Sequence, residues 1–147
     1  MPQDHPRVSA LPPRWMPIGD DPELCSVGQW WDVIRVDETI GLHAIDLLRA
    51  DDEPVGPVIV GEEGTTLRLC FLVPKGTAAT WQEPGTVPLG QRCHLVVPPA
   101  TATNPPGLHW HVPPQGPRLL TRPAALGSAI GRARRIGQRP TGEVQGR

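Results

Sequence analysis

An α+β fold, with a small, mostly antiparallel sheet and helices packed on one face, is predicted by three observations. The first is one clear amphipathic helix pattern between short β-branched runs. The second is an eight-residue alternating strand, Thr66 to Val73, introduced by a hairpin-length turn. The third is the proline content. Pro accounts for 20 of the 147 residues, against a usual ~5%, which excludes long helices over much of the chain.

The elements follow in order. Residues 1–28 hold six prolines and no periodicity, and read as a Pro-rich disordered arm. A single α+β domain is expected over 29–136, and a basic disordered tail over 137–147. Trp31-Asp-Val-Ile-Arg-Val36 is short and β-branched, hence a strand. Asp37 can accept a free N–H of the first helical turn and so caps a helix from Glu38 to Ala50. There Ile40, Ala44, Ile45, Leu47 and Leu48 share one face, and His43, Asp46 and Arg49 share the other.

Val55 to Val60 is a buried strand candidate, and Gly61-Glu-Glu-Gly64 turns it back into Thr66–Val73. On that strand Leu67, Leu69, Phe71 and Val73 share a face, and Thr66, Arg68 and Cys70 share the other. Thr77 caps a single helical turn. Cys93 to Val97 reads as a strand stopped by Pro98-Pro99, with Leu108 to Val112 as its hairpin partner. Thr121 caps a last helix carrying Pro123 in its first turn and Leu126, Ile130 and Ala133 on one face.

Charge is unevenly spread. Residues 1–117 carry seven Lys/Arg against fourteen Asp/Glu; residues 118–147 carry seven Arg against one Glu. Arg132, Arg134, Arg135 and Arg139 could touch DNA or RNA phosphates. The favoured alternative is that the basic tail keeps the protein soluble or folds back on the acidic body, because no aromatic residue interleaves with these arginines as a base-stacking platform. Cys25, Cys70 and Cys93 are odd in number and widely spaced, so no disulfide framework is expected. With no apolar run of membrane-spanning length and no secretory pattern at the N-terminus, the expectation is a cytoplasmic protein with free thiols and no membrane partner.

Two side-chain groups remain as site candidates. His109 and His111 alternate on one strand. If residues 93–97 and 108–112 pair as a hairpin, His94 sits opposite His111, and three imidazoles converge as zinc ligands would. The alternative is that they pack beside Trp110 or face solvent, and no cofactor is expected. Trp30 and Trp31 could anchor a protein partner, although core filling is the commoner use of such a pair. Ser9, Ser26 and Ser128 lack the strand–turn–helix context of an activated nucleophile.

The segment Leu89-Gly-Gln-Arg-Cys-His-Leu-Val-Val-Pro-Pro99, the returning Gly107-Leu-His-Trp110, the upstream Gly56-Pro-Val-Ile-Val60 and Thr66-to-Pro74 hairpin, and the helix bearing Leu42, Ile45 and Leu48 together form a pattern. It resembles the C-terminal part of bifunctional DNA primase/polymerase domains of the archaeo-eukaryotic primase superfamily. The resemblance covers Trp31 to about Pro114. It implies a shared α+β fold fragment and DNA-related function. Catalysis in that family needs closely spaced carboxylates on a strand to hold two metal ions, a Ser-x-His element and a later acidic residue. Here the acidic i, i+2 pairs are Asp21/Glu23, in the Pro-rich arm, and Asp51/Glu53, after a helix. No Ser-x-His occurs, and Pro98-Pro99-Ala100 stands where the family has Pro-Pro-Ser. The resemblance therefore implies a truncated, degenerate relative: an accessory or regulatory binding module without catalysis. A protein-interaction module and a small His-dependent metalloenzyme are the alternatives.

Overall fold

The computed structural model describes residues 13–115 and 119–138. The fold is α+β, with two antiparallel sheets and three helices. In chain order the elements are β1 (Glu23–Ser26), β2 (Asp32–Asp37), α1 (Glu38–Ala50), β3 (Val58–Glu63), β4 (Thr66–Val73), α2 (Thr77–Thr80), β5 (Thr86–Leu89), β6 (His94–Val97), β7 (His109–Val112) and α3 (Pro123–Gln138). Five strands form the main sheet in the order β5-β2-β4-β3-β7, and β1 pairs with β6 in a separate two-stranded ribbon.

Alternation on β4 sets the layers. Leu69, Phe71 and Val73 face one core, with Ile34, Val36, Val58 and Val60 from the neighbouring strands. Helices α1 and α3 close that face through Ala44, Ile45, Leu48, Leu126 and Ile130. Asp37 caps α1 as its sequence predicts, its carboxylate accepting the Ile40 N–H at 3.2 Å. Gly41 lets α1 lie close on the sheet, since a Cβ there would sit 2.6 Å from Leu69 Cδ1.

Cys70 and Leu72 point the opposite way, into a second core with Val33, Ile59 and Trp110. The ribbon covers this face with Leu95 and Val97, and the chain before it adds Trp15, Met16, Val27 and Trp31. The molecule is thus three layers: helices, sheet, ribbon.

Thr77 is the first residue of α2 and not its cap, a position held by Gly76, and its hydroxyl donates to Pro74 O; three further sequence expectations need correction here. Residues 13–28 are not an arm without order: Met16 and Val27 are buried, Trp15 packs edge-on to Trp31 with centroids 5.4 Å apart, and β1 is a strand. A few large side chains anchor this Pro-rich stretch, and such contacts leave no periodicity to read. Residues 1–12 and 139–147 lie outside the described residues.

Second, β6 and β7 do not form a hairpin. β6 pairs with β1, with His94 opposite Ser26, and β7 pairs with β3. Leu95 and Val97 of the ribbon face Ile59 and Trp110 of the sheet across a shared core, so the two segments pack face to face. Third, Thr121 does not cap α3. The Leu126 N–H reaches Arg122 O, which makes Arg122 the residue that begins the helix, while the Thr121 hydroxyl accepts the N–H of Gly56.

Candidate functional site

Two open cavities carry the chemistry of the described residues. The first lies where the ribbon stops short of one end of the sheet. It is a cleft of about 460 Å³. Its floor is one row across the sheet, Arg35 beside Cys70 beside Ile59, set by the registers of β2, β4 and β3. Arg68 and Glu63, from the β3–β4 hairpin, form one side, and Leu108 adds an apolar contact. Arg68 Nε donates to Glu63 Oε1 at 3.0 Å, and Arg35 lies 3.8 Å from Glu63 Oε2, so one carboxylate organises both guanidinium groups. Burial pushes the Cys70 thiol above its ordinary range, and the Arg35 guanidinium beside it pulls the other way.

The opposite wall is β6, which contributes His94, Leu95 and Val96. Among the described residues, β6 has a strand partner on one side alone. The Val27 N–H donates to Cys93 O at 2.9 Å. By antiparallel alternation, the backbone groups of Leu95 also turn toward β1, and those of His94 and Val96 turn to the open edge. At the rim of the cleft the ribbon carries an exposed apolar cross-strand pair, Leu24 opposite Val96, 67% and 44% exposed.

The second cavity, about 630 Å³, opens beside α2 and is lined by Asp32, Lys75 and Gln91 among glycines and alanines. Asp32 is 3% exposed. Its Oδ2 accepts the N–H groups of Gly76 and Ala78, each at 2.9 Å.

The predicted site residues are distributed as follows. His94 lines the first cleft, while His109 and His111 sit on the edge strand of the main sheet. His109 is buried, with its Nδ1 donating to Gly107 O at 2.7 Å. The expected convergence of three imidazoles fails because the hairpin that would create it does not form. Among the described residues no group of three or more His, Cys, Asp and Glu is placed to hold a metal ion. His111 is an exposed residue, yet partial desolvation of its ring, helped by the positive charges of Arg49 and His109, lowers its pKa, while Glu38 and Asp46 oppose the shift.

Arg132 pairs with Asp51 at 3.1 Å and Arg134 with Glu83 at 3.2 Å. Arg135 is exposed, and Arg139 lies outside the described residues. Trp31 is core, 1% exposed; Trp30 is 39% exposed, with the Arg14 guanidinium 6.0 Å from its ring centroid. No helix among the described residues is long and apolar enough to cross a membrane.

Sequence reasoning missed Arg35, Glu63 and Arg68. A signal existed: Arg35, like Asp32, is a charge inside an otherwise apolar strand, and Arg68-x-Cys70 share a face. Assembling them needed the strand order, which pattern alone does not supply. No protein-family model, no curated protein and no solved structure matches the chain.

Proposed function

We propose that this chain is a non-catalytic accessory or regulatory module on a primase/polymerase-like fold, and that its partner is a protein whose extended segment adds as a strand to β6. The observation that carries the reading is the open edge of β6 over the cleft. Unpaired backbone groups of a strand edge recruit an extended peptide, and alternate side-chain positions give selectivity. The cleft supplies those positions: apolar Ile59 and Leu108, and the Arg35–Glu63–Arg68 cluster for one polar side chain. The exposed Leu24 and Val96 extend the contact onto the ribbon's outer face.

The absence of catalysis in this reading rests on how the carboxylates are used. Asp37 holds a backbone N–H group, and Asp51, Glu53, Glu63 and Glu83 each face an arginine; Asp32 keeps one oxygen off its two backbone N–H groups, but no second carboxylate among the described residues lines its cavity. A nucleotidyl-transfer centre needs carboxylates left free to hold divalent ions. A protein partner is preferred to nucleic acid because Arg132 and Arg134 already have acidic neighbours.

The test is selection from a displayed random-peptide library with the full chain. Peptides that bind wild type and lose binding to Val96→Pro, which removes an edge N–H, support the reading. Steeply salt-dependent DNA or RNA binding that survives Val96→Pro, with no peptide enriched, overturns the protein partner. Template-directed nucleotide incorporation overturns the non-catalytic assignment.

A further inference from the structure

The cavity beside α2 is independent of the β6 edge, and its chemistry is different. Asp32 is almost wholly withdrawn from solvent, yet only one of its oxygens is satisfied. Oδ2 takes both backbone N–H groups; Oδ1 has no hydrogen-bond donor among the described residues. Nor is Oδ1 sealed in the core, where the single buried polar side-chain atom without a partner among the described residues is Trp31 Nε1. Asp32 lines the cavity, and Oδ1 is its oxygen left without a donor among the described residues.

A carboxylate this far withdrawn from solvent is disfavoured unless its charge is paired or hydrogen-bonded. The N–H pair at Oδ2 also fixes the side chain, so Oδ1 presents a rigid, anionic acceptor. A cationic donor satisfies it best. Lys75, the chain's one lysine, lines the same cavity and immediately precedes Gly76, whose N–H holds Oδ2. An anion-binding group is therefore tied to the cation-binding one through a single backbone step.

The walls narrow the class further. Gly28, Gly76, Ala78 and Gly90 leave space but offer no aromatic face and no large apolar surface. A nucleobase or an acyl chain finds nothing to stack or pack against. What fits is small, polar and zwitterionic.

We propose that this cavity binds a free α-amino acid, its ammonium group donating to Asp32 Oδ1 and its carboxylate accepting from Lys75 Nζ. Gln91 supplies an amide for further polar contact at the same wall. A small-ligand site of this kind gives a binding module an input separate from its protein contact.

The experiment is a titration of the isotope-labelled full chain with L-alanine, read as amide shifts of Gly76, Ala78 and Gly90. The expected result is saturable movement of these amides at millimolar L-alanine. N-acetyl-L-alanine, which lacks the ammonium, and ethylamine, which lacks the carboxylate, should each bind about tenfold more weakly or worse, since each loses a charge-assisted hydrogen bond. Asp32→Asn keeps an oxygen for the two N–H groups but replaces the free anionic oxygen by a donor, and should lose L-alanine binding by at least about tenfold. If Asp32→Asn does not fold, Lys75→Met makes the same test from the cavity's other end. No saturable shift with L-alanine, or equal shifts with N-acetyl-L-alanine, overturns the proposal. Peptide capture at β6 and its loss in Val96→Pro are read separately, so either proposal can fail without the other.

Discussion

The N–H of Gly56 donates to the Thr121 hydroxyl at 2.8 Å, across 65 positions of sequence and in a buried setting. This bond ties the start of β3 to the start of α3, and the contact is too close for a side chain at 56. A Cβ there would sit 2.7 Å from Leu120 Cα and from Thr121 N, both backbone atoms that cannot swing away. Thr121→Val keeps the shape and removes the acceptor, so an unpaired buried N–H should cost about 1–3 kcal/mol. Gly56→Ala should cost about as much or more through overpacking. Thr121→Ser should be the mildest of the three. Urea unfolding midpoints measure all of them; a Thr121→Val midpoint equal to that of wild type would show that the bond contributes nothing.

That same threonine shows what the sequence could and could not disclose. Thr followed two residues later by Pro looks like a helix start, and the helix does start there, but the hydroxyl is taken by a residue no local pattern connects to it. The α1 helix and the β3–β4 hairpin were legible because their signals are local, spacing in one case and alternation beside a glycine-containing turn in the other, although Gly61 to Glu63 belong to β3 and the turn itself is Gly64-Thr65. β5 was lost because Thr86-Val-Pro-Leu89 contains a proline and is short; it is an edge strand, where proline is tolerated. β1 and the core around Trp15 were lost because a few long-range contacts hold them. The candidate site shared that fate. His94 was visible as chemistry, but its neighbours Arg35, Arg68 and Cys70 come from two other strands, and strand order is a non-local fact.

Trp31 and Trp110 should respond differently to the same substitution. Both are buried. The Trp110 Nε1–H is shared by the carbonyls of Pro98 and Pro99 at 3.1 and 3.2 Å, while Trp31 Nε1 has no acceptor among the described residues. Trp110→Phe loses volume and strands buried carbonyls. Trp31→Phe loses volume but removes an unsatisfied donor. Trp110→Phe should therefore be the more destabilising by roughly 1 kcal/mol or more in denaturant titrations. Equal losses would mean that the shared hydrogen bond is not an energetic anchor for the Pro-Pro loop.

The thiols should separate by position. Cys70 is buried beneath the first cleft, and its burial favours the neutral, unreactive form. Cys25 is half-buried, and its own partial burial together with Glu23 also raises its pKa. Cys93 is half-buried as well. Alkylation with iodoacetamide followed by peptide mass mapping should modify Cys93 and Cys25 first. Cys70 should react only at the rate of unfolding, and the Arg35→Met variant should not speed it, because that change removes the one neighbour favouring the thiolate. Rapid native labelling of Cys70 would mean that the cleft floor opens without unfolding.

His111 should titrate below its ordinary value of about 6.5, because partial desolvation penalises the charged ring and the positive charges of Arg49 and His109 add to that penalty. Glu38 and Asp46 of α1 face the same ring and work against the shift without cancelling it. The sign for stability follows. Between the lowered folded value and 6.5 the unfolded chain binds the proton that the folded chain declines. The contribution of the neutral ring is therefore fully present above about 6.5 and is lost as pH falls through the folded pKa. His111→Gln should flatten that limb of the pH–stability curve. Arg49→Met should move the His111 pKa upward in ring-proton NMR, since it removes the larger of the two repulsive charges. A His111 that titrates at or above its ordinary value would mean that Glu38 and Asp46 outweigh desolvation and the charges of Arg49 and His109.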